Sequence, residues 1–528
     1  MPLVLGLAAG AHDSAAALLR DGEVVAAVSE ERLTRVKGQG GFPRRAIAAV
    51  LAMAGASPRD VEAVGLDGDA GPGLGEAGFA AGARIEAFDH HRLHGTLAGH
   101  YSGHRECAVL TLDGAGTGPV HHAAALWCEG RLQRLHEGRG AQASAGGFYA
   151  AITGLLDFKP LRHEGKVLGL AAYGDGAGLP ESLARALHVA ADGGGLAGDF
   201  PDPGARTAWL AGVVRAHGRA EVSAAAQQVL EAAVTALARE LLRQTGQVRL
   251  AVNGGVFANV KLNQRLAALP EVESLFVFPA MSNTGNAVGA GLLVEQRLGG
   301  GGARPAGQAL RDVFWGPAAD DGEIAAELAR LNLPCEKLSE EELVERAASA
   351  LNGGQVVGWF QGRMEFGPRA LGHRSLLARA TDPGIVRTLN ARLERTDFMP
   401  FAPSVLAEHA ADLFEGCGKA AHAAEFMTVT FDVREHWRPR MPAAVHVDGT
   451  ARPQLVRREA NPRYWRLIER YRQMSGIPAL LNTSFNVHEE PIVCGPREAL
   501  RALVEGRMDA LAIGDCWVAA RPGAGNRG

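Results

Sequence analysis

The chain is 528 residues long, which exceeds one ordinary hydrophobic core and predicts two or three domains. Hydrophobic residues account for 47% and charged residues for 21% of the chain, as in folded globular proteins, so a largely disordered chain is excluded. The formal net charge of −4 argues against general affinity for nucleic acid, and any basic site must therefore be a local pocket.

The sequence also bears on the compartment of the protein. No apolar run approaches the roughly 20 uncharged residues of a membrane-spanning helix, so no membrane association is predicted. Residues 1–10 are apolar without a basic leader and are interpreted as a first core strand, not as a signal peptide. The 6 cysteines show no CxxC spacing and are typical of small buried residues in a reducing compartment. We therefore expect a cytoplasmic protein.

Strand-like and helix-like stretches alternate over the first 300 residues. The patterns predict strands over Leu3–Leu7, Ala16–Leu19, Val24–Ser29, Val61–Leu66, Ala108–Leu112, Ala123–Trp127 and Val248–Val252, and helices over Arg44–Ala54, Ala224–Arg243 and Gly285–Gln296. Strands interleaved with helices predict a mixed α/β sheet covered on both faces. No internal repeat is evident in the sequence.

A second α/β series is predicted after a glycine-rich, flexible stretch at 299–305. A helix over Glu340–Leu351 and a strand over Val356–Phe360 open this series, so the domain boundary is placed between Gly299 and Ser339. Residues 192–204 predict a loop because they are rich in glycine, proline and aspartate, and residues 523–528 predict a frayed tail.

The most informative segment is Gln361–Ser375, which follows the apolar run Val356–Phe360. It places three arginines, Arg363, Arg369 and Arg374, between glycines. Arginine pairs with phosphate or carboxylate oxygens in a forked geometry, and glycine lets backbone amides approach such oxygens closely. A solvated basic turn is the alternative, but the apolar residues between the charges favour a loop with buried flanks. The segment therefore indicates a site for an anionic ligand.

His12 and Asp13 follow the first predicted strand. Ligand crevices of open α/β sheets lie at strand ends, so this pair is a candidate for taking or holding a proton. A hydrogen-bonded turn cap is the alternative, and the dipeptide alone does not decide between the two.

His90 and His94 lie one turn apart on a helix, a spacing that suits two imidazole ligands of one ion. Asp113, at the end of an apolar strand, is a candidate oxygen ligand. Two histidines and a carboxylate with vacant positions suit iron(II) or another divalent ion. A histidine-rich surface helix is equally compatible with the spacing. The pair His121 and His122 lacks this spacing and is interpreted as structural.

Two glycine-containing segments are weaker candidates for phosphate binding. Lys166 lies near two glycines, although neither the leading glycine nor the hydroxyl residue of a Walker A loop is present. Gly254 and Gly255 separate a predicted strand from a helix start near Asn259, and helix N-termini bind anions through free amides. Further on, Asn283 is a candidate to cap the next helix or to ligate an ion.

Three further polar segments follow in the C-terminal half. They are Arg392–Asp397 with Arg395, His446–Gln454 with Arg452, and Asn482–Asn486 with Ser484. Convergence on one polyphosphate is one interpretation of these segments, and ordinary surface turns are the other. Spacing along the sequence does not show whether they meet.

Taken in order, these motifs resemble those of the O-carbamoyltransferase family of nodulation-factor and antibiotic biosynthesis (NodU/CmcH type). The similarity runs over nearly the whole chain. It is most specific over Gly362–Ser375, His446–Gln454 and Asn482–Asn486, and clear over His90–His94, Leu112–Gly114 and Glu164–Gly174. The resemblance implies an actin-like ATPase (ASKHA)-type N-terminal domain at 1–335 and a YrdC-like α/β C-terminal domain at 336–528.

The same resemblance implies an activity. The C-terminal domain is expected to make carbamoyl adenylate from carbamoyl phosphate and ATP with Mg²⁺, and the N-terminal domain to transfer the carbamoyl group to a hydroxyl of a small natural product. A sugar, aminoglycoside or macrolide suits this role, no nucleic-acid partner is expected, and a homodimer is kept open. Transfer to an amine or a tRNA, and a nucleotide-binding sensor without turnover, are the alternatives.

Roles for single residues also come from this resemblance. His12, Asp13 and Lys37 are expected at the catalytic centre, with His12 orienting or deprotonating the acceptor. Contacts to nucleotide or phosphate are expected from Lys166, Gly254, Gly255, Asn259, Arg363, Arg369, Arg374, Arg395, Arg452, Ser484 and Asn486. The ion, Fe²⁺ or another divalent metal, is expected at His90, His94, Asp113 and Asn283.

One position departs from the family pattern. The family usually carries an aspartate as a further metal ligand where this chain has Asn283. A neutral amide oxygen does not replace a carboxylate electrostatically. We therefore expect a weaker or differently coordinated metal and a working enzyme.

Overall fold

The computed structural model describes residues 2–68, 71–114, 118–176, 178–299, 307–394 and 401–521. The chain forms two compact units. The first unit comprises Met1–Val25, Gly40–Pro43 and Ser57–Leu310, and the second comprises Ala26–Gln39, Arg44–Ala56 and Arg311–Gly528. Two short segments near the N-terminus thus belong to the second unit, far along the sequence from the rest of it.

Strands and helices alternate through residue 299, as the sequence predicts. The strands are β1 (Leu3–Ala8), β2 (Ala15–Arg20), β3 (Glu23–Ser29), β4 (Val61–Asp67), β5 (Arg84–Phe88), β6 (Glu106–Leu112), β7 (Val120–Cys128), β8 (Arg131–Arg139), β9 (His188–Val189), β10 (Leu196–Ala197), β11 (Arg249–Asn253) and β12 (Ser274–Val277). The helices are α1 (Glu30–Thr34), α2 (Arg44–Met53), α3 (His90–Tyr101), α4 (Ala145–Leu155), α5 (Glu164–Ala171), α6 (Pro180–Leu183), α7 (Pro203–Ala216), α8 (Arg219–Thr245), α9 (Val260–Ala267) and α10 (Asn283–Arg297).

Two five-stranded sheets of one topology form the core of this part of the chain. Their strand orders are β3-β2-β1-β4-β5 and β8-β7-β6-β11-β12. In each sheet the first strand pairs antiparallel with the second and parallel with the fourth, which pairs parallel with the fifth. The expectation of no internal repeat is therefore wrong for the structure. A duplicated sheet of this kind is the actin-like fold, which confirms the fold predicted for the N-terminal half.

The helices that follow the last strand of each sheet pack against each other and against the sheets. α10 lies on β1, β2 and β4, and α3 lies on β6, β7 and β11. The approach is close, since a Cβ placed on Gly6 of β1 would lie 1.8 Å from the backbone oxygen of Ala287 on α10. Every residue of β1 is buried. The strand ends and the first turns of α3 and α10 are thereby held at fixed positions.

The second unit is a mixed α/β structure, as predicted for the C-terminal half. Its further strands are β13 (Glu336–Lys337), β14 (Val357–Phe360), β15 (Arg374–Arg379), β16 (Ala402–Leu406), β17 (Phe431–Asp432), β18 (Thr450–Ala451), β19 (Gln454–Val456), β20 (Ala479–Ser484), β21 (Ala510–Ile513) and β22 (Cys516–Ala519). Its further helices are α11 (Asp321–Arg330), α12 (Glu340–Asn352), α13 (Gly384–Arg392), α14 (Ala410–Leu413), α15 (Ala421–Ala424), α16 (Pro462–Ser475) and α17 (Pro496–Val504).

An eight-stranded sheet of order β13-β22-β21-β14-β15-β20-β16-β19 forms the centre of the second unit. α12 begins where predicted because the Ser339 hydroxyl accepts a hydrogen bond from the backbone amide of Glu342. The Glu342 carboxylate in turn accepts one from the backbone amide of Ser339. β15 and β20 are antiparallel neighbours, with Ser375 opposite Ser484. This pairing sets two of the polar segments singled out in the sequence side by side.

Three predictions about loops have different outcomes. Residues 192–204 are not one loop, because β10 pairs there with β9 and α7 begins at Pro203, capped by Asp202. Of the predicted flexible stretch at 299–305, only Gly299 belongs to the described residues, and the predicted tail at 523–528 lies outside them. No helix in the described part of the chain is both long and apolar enough to cross a bilayer.

Candidate active sites

In the first unit, two histidines of α3 and one aspartate meet at a single point. Asp89 caps α3 by accepting a hydrogen bond from the backbone of Arg92, and His90 and His94 follow on one face of the helix. The Nε2 atoms of both histidines lie 3.2 Å from Oδ2 of Asp113 and 3.1 Å from each other. The predicted helical spacing and the strand end therefore do bring these three groups together.

The charges around this cluster favour a cation. Burial lowers the pKa of His90, but hydrogen bonds to Asp113 and Asp67 outweigh it and raise the pKa to about 10. Burial raises the pKa of Asp113, yet the two histidines hold it well below its usual range. Two imidazole nitrogens and one carboxylate oxygen fit a divalent ion.

Asp67 and Asn286 are members of this site that sequence reasoning missed. Asp67 ends β4 and accepts a hydrogen bond from His90, and Asn286 on α10 donates to Asp67. Neither residue lies in a recognisable motif, so the sequence carries no signal for them. Asn283 is the first residue of α10, one turn before Asn286, and the cap position belongs to Ser282, so the prediction that Asn283 caps the helix is wrong.

His12 and Asp13 lie in the loop after β1. Nδ1 of His12 and Oδ2 of Asp13 are 3.3 Å apart, and both side chains are about one-third exposed, at 34% and 29%. The hydrogen bond to Asp13 raises the pKa of His12, and the charge of Asp113 adds to this effect. Asp13 has a left-handed backbone with φ of 57°. The imidazole is therefore accessible to a substrate and lies within the field of the histidine–aspartate cluster.

The glycine pair after β11 borders the same cluster. Gly254 has φ of 111°, and a Cβ on it would lie 2.2 Å from the backbone oxygen of Leu112. A Cβ on Gly255 would lie 3.1 Å from Oδ1 of Asp113. Glycine at both positions thus lets this loop lie directly against the end of β6.

Two further predicted residues of the first unit lie in regular elements. Lys166 is on α5 and not in a turn, with its ammonium 5.9 Å from the ring centre of Phe158. Asn259 caps α9, and its amide also exchanges hydrogen bonds of 2.8 and 3.1 Å with Gln227. The capping and pairing already occupy the Asn259 side chain, and its predicted nucleotide contact stays a prediction, as does that of Lys166.

In the second unit, Glu365 folds the arginine-containing loop between β14 and β15. Its Oε1 accepts hydrogen bonds from the backbone amides of Leu371, His373 and Arg374 at 2.7, 2.8 and 3.1 Å. Glu365 is buried, and sequence reasoning missed it because all three partners are backbone groups. One carboxylate therefore fixes the turn that carries the predicted arginines.

The three arginines of this loop have different surroundings. Arg374 is 0% exposed, donates to the backbone oxygens of Gln361 and Gly362, and lies over the ring of Phe360. Burial lowers its pKa to about 10. The Arg374 guanidinium donates to backbone oxygens of the loop itself, so direct contact of Arg374 with a ligand stays a prediction. Arg363 likewise donates to backbone oxygens, those of Trp315 and Gly316.

Arg369 differs from the other two arginines. Burial alone lowers its pKa to about 10, with no carboxylate acting against the effect. Its Nε is buried without a hydrogen-bond partner, and among the described residues no carboxylate pairs with its guanidinium. A buried guanidinium N–H without a partner is costly, and an anion at the partly exposed Arg369 side chain would offset this cost. Arg369 is therefore the residue of the loop whose surroundings call for an anionic ligand.

Two of the three polar segments of the C-terminal half, His446–Gln454 and Asn482–Asn486, contact the loop. Nδ2 of Asn482 donates to the backbone oxygen of Ala370 at 3.1 Å, and Nε2 of Gln454 donates to that of Leu371 at 2.8 Å. Asn482 and Gln454 also bond each other at 3.0 Å. These two segments therefore meet at the loop, whereas Arg392 of the third segment donates to Asp509 at 2.9 Å.

The remaining predicted residues of this half have these positions. Arg452 lies between β18 and β19, Ser484 ends β20 and donates to Asn486 at 2.5 Å, and Arg395 lies outside the described residues.

Lys37 belongs to the second unit. The segment that carries Lys37 is held by Arg32 of α1 and by Arg35, the residue that follows α1. Arg32 donates to the backbone oxygen of Gly367 in the arginine-containing loop at 2.9 Å. Arg35 donates to those of Pro491 and Ile492 at 2.6 and 2.7 Å. Sequence reasoning missed both arginines, although their spacing with Lys37 is visible in the run from Arg32 to Lys37. The segment that carries Lys37 is therefore anchored within the second unit.

Two family models cover this chain. The model of the carbamoyltransferase N-terminus matches residues 3–71 and 206–292, and that of the carbamoyltransferase C-terminus matches residues 348–520. The chain belongs to the carbamoyltransferase family. It is an enzyme of that class, as the resemblance of its motifs implied.

Relatives of this carbamoyltransferase extend over most of its length. Nodulation protein NolNO of Sinorhizobium fredii is 33% identical over 97% of this chain and 79% of that protein. The uncharacterized protein sll1178 of Synechocystis sp. is 32% identical over 97% of this chain and 96% of its own length. The 3'-hydroxymethylcephem-O-carbamoyltransferase of Streptomyces clavuligerus is 30% identical over 70% of this chain and 69% of its own length.

Among solved structures, component A of (R)-2-hydroxyglutaryl-CoA dehydratase from Acidaminococcus fermentans aligns with a TM-score of 0.36 and 17% identity over 57% of this chain and 100% of its own. A TM-score at this level carries no argument about function. The fold assignment of the carbamoyltransferase rests on its own sheet order and strand directions.

Proposed function

We propose that this carbamoyltransferase uses carbamoyl phosphate and ATP to carbamoylate a hydroxyl group of a small natural product. The observation that carries the proposal is Arg369, whose Nε is buried without a hydrogen-bond partner and which has no carboxylate partner among the described residues. It lies in a loop that two polar segments contact. Both co-substrates are polyanions, and such a guanidinium matches their oxygens.

The second unit is proposed to activate the carbamoyl group. Water releases phosphate from carbamoyl phosphate and leaves carbamate. A carbamate oxygen then bonds to the α-phosphorus of ATP, and pyrophosphate leaves as the α–β bond breaks. One water is consumed, and carbamoyl adenylate, phosphate and pyrophosphate are the products. Arg369, Arg452 and Lys37 are proposed to neutralise the phosphate oxygens in these steps, with Mg²⁺ on the nucleotide.

The first unit is proposed to carry out the transfer. The acceptor hydroxyl attacks the carbonyl carbon of the adenylate, the bond from that carbon to the AMP oxygen breaks, and AMP leaves. His12 takes the hydroxyl proton, since its ring is accessible and Asp13 orients it. A divalent ion held by His90, His94 and Asp113 would supply Lewis-acid polarisation of the adenylate oxygens.

The acceptor is proposed to be a hydroxyl compound such as a sugar, an aminoglycoside or a macrolide. Support comes from one relative, the 3'-hydroxymethylcephem-O-carbamoyltransferase of Streptomyces clavuligerus, whose name describes carbamoyl transfer to oxygen. The net charge of −4 speaks against a tRNA acceptor, because phosphate-backbone binding depends on clustered positive charge.

Pyrophosphate release tests this function without an acceptor. We expect release from ATP that depends on carbamoyl phosphate, and an Arg369→Ala variant that loses it by about 100-fold or more, since a charged contact to a polyanion is removed. Arg330→Ala is the matched control, because Arg330 is a surface residue of α11 paired with Glu327. ATP binding without release would contradict the proposal and favour a nucleotide sensor. Release with transfer to an amine or a tRNA only would contradict the hydroxyl acceptor.

A further inference from the structure

A buried carboxylate stands behind the histidine–aspartate cluster of the first unit. Both oxygens of Asp67 lie 3.0 Å from Nδ1 of His90, on the side of the ring away from Asp113. Nδ2 of Asn286 donates to Oδ2 of Asp67 at 2.9 Å. Asp67, His90 and Asn286 are 5%, 2% and 0% exposed. Water therefore does not compete for these contacts.

This arrangement fixes which ring nitrogen carries hydrogen. An ionised carboxylate only accepts hydrogen bonds, so Nδ1 of His90 is the N–H that faces Asp67. When the ring is neutral, as a metal ligand must be, its lone pair is on Nε2, the atom that faces Asp113 and His94. The amide of Asn286 has its donor toward Asp67, because its oxygen there would face a carboxylate. Each partner thus specifies the orientation of the next.

The duplicated fold offers an internal comparison. Asp67 ends β4 and Asn253 ends β11, and these strands hold the fourth position in their two sheets. Nδ2 of Asn253 donates to the backbone oxygen of His94 at 3.0 Å. In the second sheet, an uncharged amide at the end of β11 is therefore enough to bind the backbone of α3. In the first sheet, the equivalent position at the end of β4 has the carboxylate of Asp67, which contacts the imidazole of His90.

We propose that Asp67, steadied by Asn286, is a positioning residue that holds His90 as the Nδ1–H tautomer and so presents Nε2 to a divalent ion. The inference rests on the proposed function, in which this cluster holds such an ion. A carboxylate behind a metal-binding histidine fixes the ring and raises its basicity, and loss of such a partner weakens metal binding by about 10–100-fold.

Mn²⁺ and Co²⁺ titrations of the full chain test the proposal, with binding followed by EPR and by Co²⁺ absorption. Asp67→Asn keeps the size of the side chain and removes its charge, and we expect binding about 10–100-fold weaker than in the wild type. Asn286→Ala removes only the support of Asp67 and should weaken binding by about 2–10-fold. Thr111→Val is the matched control, because Thr111 lies 2.8 Å from Nδ1 of His91, a histidine outside the cluster.

A second readout separates positioning from loss of structure. Nitrogen NMR of the ¹⁵N-histidine protein should show His90 as the Nδ1–H tautomer in the metal-loaded wild type and a mixture in Asp67→Asn, with unfolding midpoints recorded for both. Equal metal affinity and an unchanged tautomer in Asp67→Asn would overturn the proposal. If that variant does not fold, Asn286→Ala decides, and wild-type affinity in it would overturn the proposal too.

Failure of the proposed function gives a different result. Pyrophosphate release that ignores carbamoyl phosphate would contradict the function while the metal titrations still report on Asp67. Wild-type protein that binds neither ion, but releases pyrophosphate as proposed, would overturn the inference about Asp67 alone.

Discussion

In the first unit a buried histidine lies between two carboxylates, whereas in the second unit Arg369 has no carboxylate partner among the residues that the structure describes. His90 is held by Asp67 and Asp113, and its pKa is raised to about 10. The Nε of Arg369 is buried without a hydrogen-bond partner, and burial lowers the pKa of Arg369 to about 10. Burying a charge costs free energy in both units. Carboxylates offset this cost at His90, whereas no carboxylate of the described residues offsets it at Arg369.

This difference teaches what each unit is prepared to bind. Where two carboxylates face one histidine, the cluster favours a positive charge. At Arg369, whose Nε is buried without a hydrogen-bond partner, the folded protein favours binding of an anion. The two ligand classes of the proposed reaction, a divalent ion and polyphosphates, are divided between the units in the same way.

The largest expected effect comes from removing the one carboxylate that organises the arginine loop. Glu365→Ala would leave the amides of Leu371, His373 and Arg374 without their acceptor. We expect a loss of about 3–5 kcal/mol in the free energy of unfolding and loss of pyrophosphate release. Urea unfolding measures the first quantity.

The control for this variant is Glu327→Ala, on the surface of α11, which should stay within about 0.5 kcal/mol of the wild type. If Glu365→Ala had the same free energy of unfolding as the control, the arginine-containing loop would not depend on Glu365. The account of how the second unit positions its arginines would then be wrong.

A smaller effect is expected from adding charge to the cation side. Asn283→Asp, at the first residue of α10, should raise the affinity for Mn²⁺ by about tenfold, because a carboxylate attracts a divalent ion and an amide does not. Asn352→Asp, at the exposed end of α12 in the second unit, adds the same charge elsewhere and should change nothing. Equal affinity in Asn283→Asp and the wild type would mean that Asn283 does not face the ion.

The smallest expected effect is a shift in pH dependence. Asp13 raises the pKa of His12, and a base acts only when unprotonated, so the transfer rate should rise as the pH increases through that raised pKa. Asp13→Asn removes the main cause of the raised pKa and should move the rise to lower pH. Initial rates of acceptor carbamoylation across pH measure this shift. An unchanged pH profile of the transfer rate in Asp13→Asn would show that His12 is not the base. The same conclusion would follow if the pH dependence persisted in His12→Ala.

The sequence predicts the parts of the site that depend on local spacing. His90 and His94 share a helix face because α3 forms where its pattern indicates, and Asp113 follows a strand that the apolar run predicts. The arginine loop is likewise visible as glycines and arginines after β14. In each case, the neighbours along the chain determine the geometry.

The residues that were missed depend on contacts distant in sequence. Asp67 is 23 positions from His90 and reaches it only because β4 is the central neighbour of β1 and β5. Lys37 follows a segment whose arginines bond to backbone far along the chain, at Gly367 and Pro491. The duplicated sheet is a repeat of strand order and direction, which strand-like patterns of unequal spacing do not disclose. Pairing between distant segments is the missing information in all three cases.

The most direct test of the account is to look for the activated carbamoyl group itself. The protein would be incubated with ATP and ¹³C-labelled carbamoyl phosphate without acceptor, quenched, and analysed by mass spectrometry for a labelled AMP adduct. We predict the adduct in the wild type and in Asp113→Asn, which alters only the cation side, and its absence in Arg369→Ala. Absence of labelled adduct in the wild type, with AMP or pyrophosphate formed regardless of carbamoyl phosphate, would contradict the account.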